Sequence, residues 1–267
     1  MVHNLAQEEG FFMKNIYFIK QNATESGDCG NGWEGWRLGN TLYIDYTGPL
    51  RFLGGEYFLP DDLRQIDFWD ENLKAEIDTL IIGNDSLTEL GLGLGLFRNW
   101  SNLKRIDVLA SNVYYGTLEE SDPEEDYSTW NIQNHFDDLL ETLPDLQAVN
   151  IIGEDVNVTS EDGIIYDKER KTLLFCPRGK MGHFIIPDGV VIIEAFAFND
   201  CRRLTNVTIP NSVNEIDICA FDGCVSLRLN IPDSVTRIGK HAFANVPHIS
   251  YHGLAQSDDN WGAKSRN

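Results

Sequence analysis

Three glycines in alternation, Gly91, Gly93 and Gly95, are the first residues of this chain whose spacing suggests chemistry, since glycine-rich loops cradle phosphate with backbone amides. They have neither the Gly-x-Gly-x-x-Gly spacing nor a Gly-Lys-Ser/Thr ending, so the run is expected to make a corner between two turns of chain. The stretch 119–126 holds Glu119, Glu120, Asp122, Glu124, Glu125 and Asp126 and could attract a hard cation. It lacks the calcium-loop pattern, and a solvated loop is expected there. His248 and His252 stand four apart, but their segment reads as strand, where this spacing does not reproduce a helical metal pair, and no Glu follows His248. Cys176 and His183 are near one another, yet no acyl-transfer signature frames either. No catalytic constellation, metal site or cofactor site follows from these residues. The expected protein is not an enzyme.

The bulk properties bound the rest. At 267 residues, 42% hydrophobic and 24% charged, the chain can bury a substantial core as one or two domains. The five cysteines are odd in number and lack the dense spacing of a disulfide scaffold, so they leave the redox compartment open. No stretch reaches the length of a membrane span, and the apolar segment 11–20 is broken by Lys14 and Asn15, too polar for a secretory signal. Residues 1–30 are expected to be a leader or a poorly ordered segment, with Met13-Lys14 as an alternative start. A formal charge of -21, from 42 acidic against 21 basic residues, argues against nucleic acid and anionic membrane as partners and favours a neutral or basic one. The same charge also serves simple solubility.

These residues must be positioned by something, and an internal period shows what. Segments starting at Ile186-Pro187-Asp188, Ile209-Pro210-Asn211 and Ile231-Pro232-Asp233 repeat after 23 and then 22 residues. In each, Val190, Val213 and Val235 are followed by Ile193, Ile216 and Ile238 and then by Ala197-Phe198, Ala220-Phe221 and Ala242-Phe243. Within one unit Phe198, Cys201, Leu204, Val207 and Ile209 step by 3, 3, 3 and 2. Steps of three suit a turn of helix or a 3₁₀-like corner, and the step of two suits a strand. Phe97, Trp100, Leu103, Ile106 and Val108 repeat that spacing, as do Leu140, Leu143, Leu146, Val149 and Ile151. The solenoid is therefore expected over 77–252, with Cys201 and Cys224 as small buried thiols in equivalent places. Insertions are expected near 109–139, as a degenerate repeat or an excursion, and near 160–180, where a hairpin joins 163–166 to 172–175. Caps are expected at both ends. At the start, 31–76 form an N-terminal β module with a hairpin around Gly39-Asn40 that places Leu42, Ile44 and Tyr46 on one face. At the end, 249–252 form a last strand before a polar tail over 253–267.

The repeats resemble those of the BspA-like leucine-rich repeat family, which run Ile-Pro-Asp-Ser-Val, Ile-Gly, Ala-Phe, Cys and Leu. Ile231-Pro232-Asp233-Ser234-Val235 and Ile238-Gly239 match outright. Trp36-Arg37-Leu38, Thr41-Leu42-Tyr43-Ile44, Asp162-Gly163-Ile164-Ile165-Tyr166 and Trp261-Gly262-Ala263-Lys264-Ser265 look like the family's non-repeat parts. The resemblance implies an α/β fold, a right-handed leucine-rich repeat solenoid with units of 22–23 residues, a β-hairpin N-terminal cap and an inserted hairpin. It also implies a bacterial protein of the cell surface or secreted space that mediates adhesion or protein binding. The sequence itself shows no export signal, so a cytoplasmic location stays open.

In such a solenoid the strands line the concave face, and residues between the inward positions point to solvent. The register names them as Lys104, Arg105 and Asp107; Gln147, Ala148 and Asn150; Thr205, Asn206 and Thr208; Arg228 and Asn230. This polar row suits a wet contact with a protein or glycan. The aromatic residues Trp33, Trp36, Tyr43, Tyr46 and Tyr57 are a second candidate surface, shared with the cap core. The functional expectation is a non-catalytic macromolecule-binding module; the alternative is an intracellular scaffold or assembly unit.

Overall fold

A computed structural model describes residues 14–30, 33–46, 75–83, 90–92, 100–109, 113–115, 143–152, 158–256 and 259–266. Phe97, Leu140, Tyr57, Gly95 and the acidic stretch 119–126 lie outside them. The architecture is a β-solenoid with little helix. The chain forms two compact units, residues 1–143 with 150–156 and residues 144–149 with 157–267.

In the first unit, β1 (Glu25–Gly30), β2 (Trp33–Leu38) and β3 (Thr41–Tyr46) run antiparallel, with Gly39 at φ +60° turning the expected hairpin. β3 then pairs in parallel with β4 (Thr79–Gly83), and β4 with β6 (Arg105–Leu109). Parallel pairing brings Leu42, Leu80 and Ile106 into one row and Ile44, Ile82 and Val108 into the next, all buried. Residues 150–152 of β8 (Ala148–Ile152) belong to the same unit, and the sheet order is β1-β2-β3-β4-β6-β8. Trp100, Leu103, Ile106 and Val108 are buried at the spacing read from the sequence. Gly91 does not make a corner. It lies in β5 (Leu90–Leu92), parallel to β7 (Val113–Tyr115), because the alternating Leu-Gly-Leu satisfies strand periodicity as well as a turn.

Residues 14–22 form a helix inside the segment read as a leader. Ile16 and Ile19, one helical turn apart, are buried against Tyr43, Ile81 and Leu109, with Trp36, Leu38 and Ile152 around them. This covers the second face of the sheet.

The second unit is the regular coil. β9 (Val158–Glu161), β10 (Ile164–Asp167) and β11 (Thr172–Phe175) are antiparallel neighbours, and β10 and β11 are the expected inserted hairpin. From β11 the chain stacks in parallel on two sides. Short strands β13 (Ile192–Ile193), β15 (Glu215–Ile216) and β17 (Arg237–Ile238) continue from β11. Longer strands β12 (Gly182–Ile185), β14 (Leu204–Thr208), β16 (Arg228–Asn230) and β18 (His248–Ser250) form the other side. Between them lies one continuous core, and Phe198, Cys201, Leu204, Val207 and Ile209 are all in it. Phe198 and Phe221 stack at 4.7 Å, and Phe221 and Phe243 at 5.8 Å. The prolines close each strand: the Pro187, Pro210 and Pro232 carbonyls accept from the amides of Val190, Val213 and Val235, turning the chain into the short strand.

Of the two readings of the corners, the structure has the tighter one and not a turn of α-helix: successive turns are closed by bonds three residues apart, such as the Ala197 amide to the Glu194 carbonyl and the Cys201 amide to the Phe198 carbonyl. Phe196, Cys219 and His241 have φ of 58°, 53° and 58°, and Asp200, Gly223 and Asn245 have φ of 56°, 76° and 65°. Two left-handed residues per turn break any helix. At the second position Asp, Gly and Asn are the types that bear this conformation most easily. The first carries Phe, Cys and His, held there by the amide-to-carbonyl bonds Phe196 to Ile218 and Cys219 to Lys240.

Gly239 sits where the backbones of successive coils approach closely. A Cβ there would lie 2.6 Å from the Asp217 carbonyl carbon and 2.8 Å from Ile218 Cα, with the Ile218 nitrogen nearer still. These are backbone atoms and cannot step aside alone. Gly239→Ala is expected to destabilise the second unit by about 2 kcal/mol or more, read as a lower denaturation midpoint; an unchanged midpoint would show that the coils separate freely here.

The tail over 259–266 is not a loose end. Trp261 is 4% exposed, its carbonyl accepts from the Phe243 amide, and its ring meets Phe243 edge-on at 6.4 Å and Tyr251 at 5.7 Å. Its carbonyl does for Phe243 what the Ala242 carbonyl does for Phe221.

Candidate binding face

The strands β12, β14, β16 and β18 set their side chains alternately inward and outward, and their parallel register aligns them. Phe184, Val207, Leu229 and Ile249 form the inward row, all buried. Two rows flank it on the outer surface: His183, Asn206, Arg228 and His248 in one, Ile185, Thr208, Asn230 and Ser250 in the other. The sequence-derived residues Thr205, Asn206, Thr208, Arg228 and Asn230 are all exposed and lie together here. β12 was missed. Its signal was available, because Phe184 stands two residues before Ile186-Pro187, as Val207 stands before Ile209-Pro210 and Leu229 before Ile231-Pro232.

Hydroxyl groups organise the rim. His183 Nε2 is 2.8 Å from Thr208 Oγ1, and His248 Nδ1 is 2.9 Å from Ser265 Oγ, which donates to the Pro247 carbonyl at 2.9 Å. Thr205 Oγ1 donates to the Gly182 carbonyl at 3.1 Å. Ile185 is 62% exposed, an apolar contact at the edge of an otherwise polar surface. Arg37, Arg105, Arg170, Arg202, Arg203 and Arg237 are each ion-paired with a carboxylate. Arg228 has no carboxylate partner among the described residues.

The expected residues of the first unit are arranged differently. Lys104 and Arg105 are exposed, but Asp107, expected to face solvent, is 2% exposed. Arg105 Nε donates to it at 2.9 Å and Asn150 Nδ2 at 2.6 Å, so Asp107 is a satisfied buried carboxylate in a row with Tyr43 and Ile81. The N-terminal helix over 14–22 covers the face that would otherwise be wet. Lys20 fastens it, with Nζ 2.5 Å from the buried Asp45 and 4.4 Å from the Trp36 ring centroid. Gln147 and Ala148, in the second unit, are half-buried. Of the aromatic surface, Trp33 and Tyr43 are core, with the Tyr43 hydroxyl donating to the Gly83 carbonyl at 3.1 Å; Tyr46 lies in β3 and its side chain is outside the described set.

Cys176 and His183 do not meet. Cys176 is buried with Sγ 3.8 Å from the Pro177 carbonyl, whereas His183 is exposed on β12. Cys201 and Cys224 occupy equivalent buried places, and burial pushes both thiols well up, which keeps them protonated and unreactive. Among the described residues all four cysteines with placed side chains are free, no group of three His, Cys, Asp or Glu side chains is gathered as for a metal ion, and no helix is long and apolar enough to cross a membrane.

On the side of the short strands, Glu194 is half-buried, and its carboxyl is pushed up chiefly by that burial, then by Asp217 and Glu215. A raised carboxyl favours folding below its unfolded pKa, and the advantage is lost as pH rises through the folded value. Glu194→Gln is therefore expected to raise the melting temperature at pH 7, with the difference vanishing below about pH 4. An equal gain at both pH values would point to packing instead.

The profile of the BspA type Leucine rich repeat region matches residues 171–261 in six copies. Similar solved structures include a leucine-rich repeat protein from Eubacterium ventriosum, at 15% identity, covering 86% of this chain and 73% of that one with a TM-score of 0.40. The pneumococcal vaccine antigen PcpA matches at 14% identity over 84% and 81%, TM-score 0.37. A leucine rich cell surface protein from Faecalibacterium prausnitzii matches at 16% identity over 90% and 94%, TM-score 0.35. No curated protein matches the chain.

Proposed function

We propose that this chain, whose residues 171–261 are BspA-type leucine-rich repeats, is a non-catalytic module that binds another macromolecule through the β12–β14–β16–β18 face. Leucine-rich repeat proteins act generally as binding modules, and the observation that carries the reading here is the pair of outward rows, held in register by a core that supplies no reactive group behind them. Parallel stacking makes the rows rigid, so a partner meets side chains whose spacing is already set and little ordering entropy is lost on contact. The surface is polar with one exposed Ile, which suits a wet interface with a protein. A bacterial cell-surface or secreted setting accords with the family; protease treatment of intact source cells should then degrade the protein, and protection would favour an internal scaffold.

The binding test is steric. Asn206→Trp with Asn230→Trp places two bulky rings on exposed strand positions without touching the core. Proteins captured by the native chain from source-cell surface extracts and extracellular medium should be lost with this variant and retained with Asn211→Trp and Asp233→Trp, which are exposed in the turns after β14 and β16. Retention by the first pair would exclude this face.

A further inference from the structure

The charge of the chain is divided unevenly. Residues 158–267 hold 13 acidic and 12 basic side chains, so nearly the whole of the -21 resides in residues 1–157. Strands β12, β14, β16 and β18 contain no Asp or Glu at all. What they present is Arg228, without a carboxylate partner among the described residues, beside His248 in the same row and with His183 at its far end. Asn206, Asn230, Thr205 and Thr208 add amide and hydroxyl groups around them. Along the chain, Asp188 and Asp233 follow the strands past Pro187 and Pro232, and the carboxylates beside the start of β14, Asp200 and Asp145, are ion-paired with Arg202 and Arg203.

We infer that this face takes an acidic peptide segment of a protein partner, its carboxylates meeting Arg228 and the flanking His183 and His248; this rests on the binding-module reading of the same face. A cation left unpaired in a chain rich in carboxylates is a site where an incoming carboxylate displaces only water. Arg228 can offer it a two-pronged hydrogen bond that Lys could not. Strands lie about 4.8 Å apart, so the row from His183 to His248 spans roughly 14 Å. In an extended peptide crossing the strands, side chains on one side recur about every 6.6 Å, so two or three alternate carboxylates fit the row. Ile185 offers an aliphatic contact in the adjacent row. A sugar chain is the weaker fit, because no Phe, Tyr or Trp ring faces outward from these four strands to stack against it.

The probe is a fluorescein-labelled octapeptide of alternating Glu and Thr, titrated against the full chain and followed by anisotropy, with the Gln–Thr octapeptide and heparin alongside. The Glu peptide should bind saturably and more weakly as salt rises. The Gln peptide, and the Glu peptide with Arg228→Ala, should each bind weaker by on the order of tenfold, while Lys240→Ala, at an exposed turn position outside the four strands, leaves binding unchanged. Arg228 is exposed, so its variant should keep the native melting curve. Equal binding of the Gln peptide, indifference to Arg228→Ala, or no peptide binding would overturn the inference. Heparin binding lost with Arg228→Ala, without peptide binding, would replace the acidic peptide with an anionic glycan. If the peptide fails but the Asn206/Asn230 tryptophan pair still abolishes partner capture, only the acidic class falls and the binding-module reading stands.

Discussion

Phe221→Ala should unfold the second unit at a denaturant concentration well below that of the native chain, with a loss of about 3–5 kcal/mol. Phe221 is 0% exposed and lies between Phe198 and Phe243, nearly parallel to the first at 6°. Truncation removes the ring's transfer free energy and leaves a cavity between coils whose backbones are tied by hydrogen bonds from the Phe198 and Phe221 amides to the Ala220 and Ala242 carbonyls, so collapse is limited. It also ends two ring contacts, each adding about 0.5–1.5 kcal/mol beyond burial. The position matters because a solenoid is stabilised by neighbour contacts: a defect in a middle coil uncouples the coils on either side. Phe221→Leu, which refills most of the volume, should recover the larger part of the loss. Urea denaturation followed by tryptophan fluorescence would read it, since Trp261 reports on this unit. A change below about 1 kcal/mol would mean that the Phe column is a consequence of the coil and not what holds it.

The Phe, Ile and Val columns were legible because a stacked repeat converts sequence period directly into contact: identical residues one coil apart touch, so spacing alone names the core. For the same reason Thr205, Asn206, Thr208, Arg228 and Asn230 could be placed on one face before any coordinates. Where the period lapses, so does that inference. Asp107 has an outward register position but is buried, because the helix over 14–22 comes from outside the repeat and covers its sheet. Ile16 and Ile19 alone, in a stretch also carrying Tyr17 and Phe18, do not announce which face a helix will bury; in the structure the latter two are 68% and 58% exposed. The step of three leaves a helical turn and a 3₁₀-like corner both open, because consecutive β-turns share it. Only the second left-handed position, Asp200, Gly223 and Asn245, carries residue types that tell them apart. Net charge is an average over the chain and does not describe the candidate face, whose strands hold no carboxylate.

Trp261→Ala should loosen the end of the coil more than its position beside the chain terminus suggests. The open end of a solenoid exposes unpaired backbone and core side chains, and a closing segment must supply both a surface and hydrogen-bond partners. Trp261 covers Phe243 and Tyr251 with its ring, while the tail backbone accepts from the Phe243 and Ile249 amides, the latter through Ser265, and donates from Lys264 to the Val246 carbonyl. Arg266 holds the arrangement from outside, its guanidinium 5.2 Å from both the Tyr251 and Trp261 rings and donating to the Tyr251 carbonyl at 3.1 Å. Without the indole the tail has little to bury, and losing it should cost about 3–5 kcal/mol locally. The last coil should then exchange amide hydrogens far faster at Phe243, Ile249 and Lys264, while Val207 and Phe198 in the interior stay protected. Uncovering Phe243 and the β18 edge should also promote association between chains, seen as concentration-dependent light scattering. Trp261→Phe, which keeps an aromatic cover and the backbone bonds, should restore protection without scattering. Uniform loss of protection across the second unit would instead mean that the coils unfold as one body, and that the tail governs the stability of the whole array.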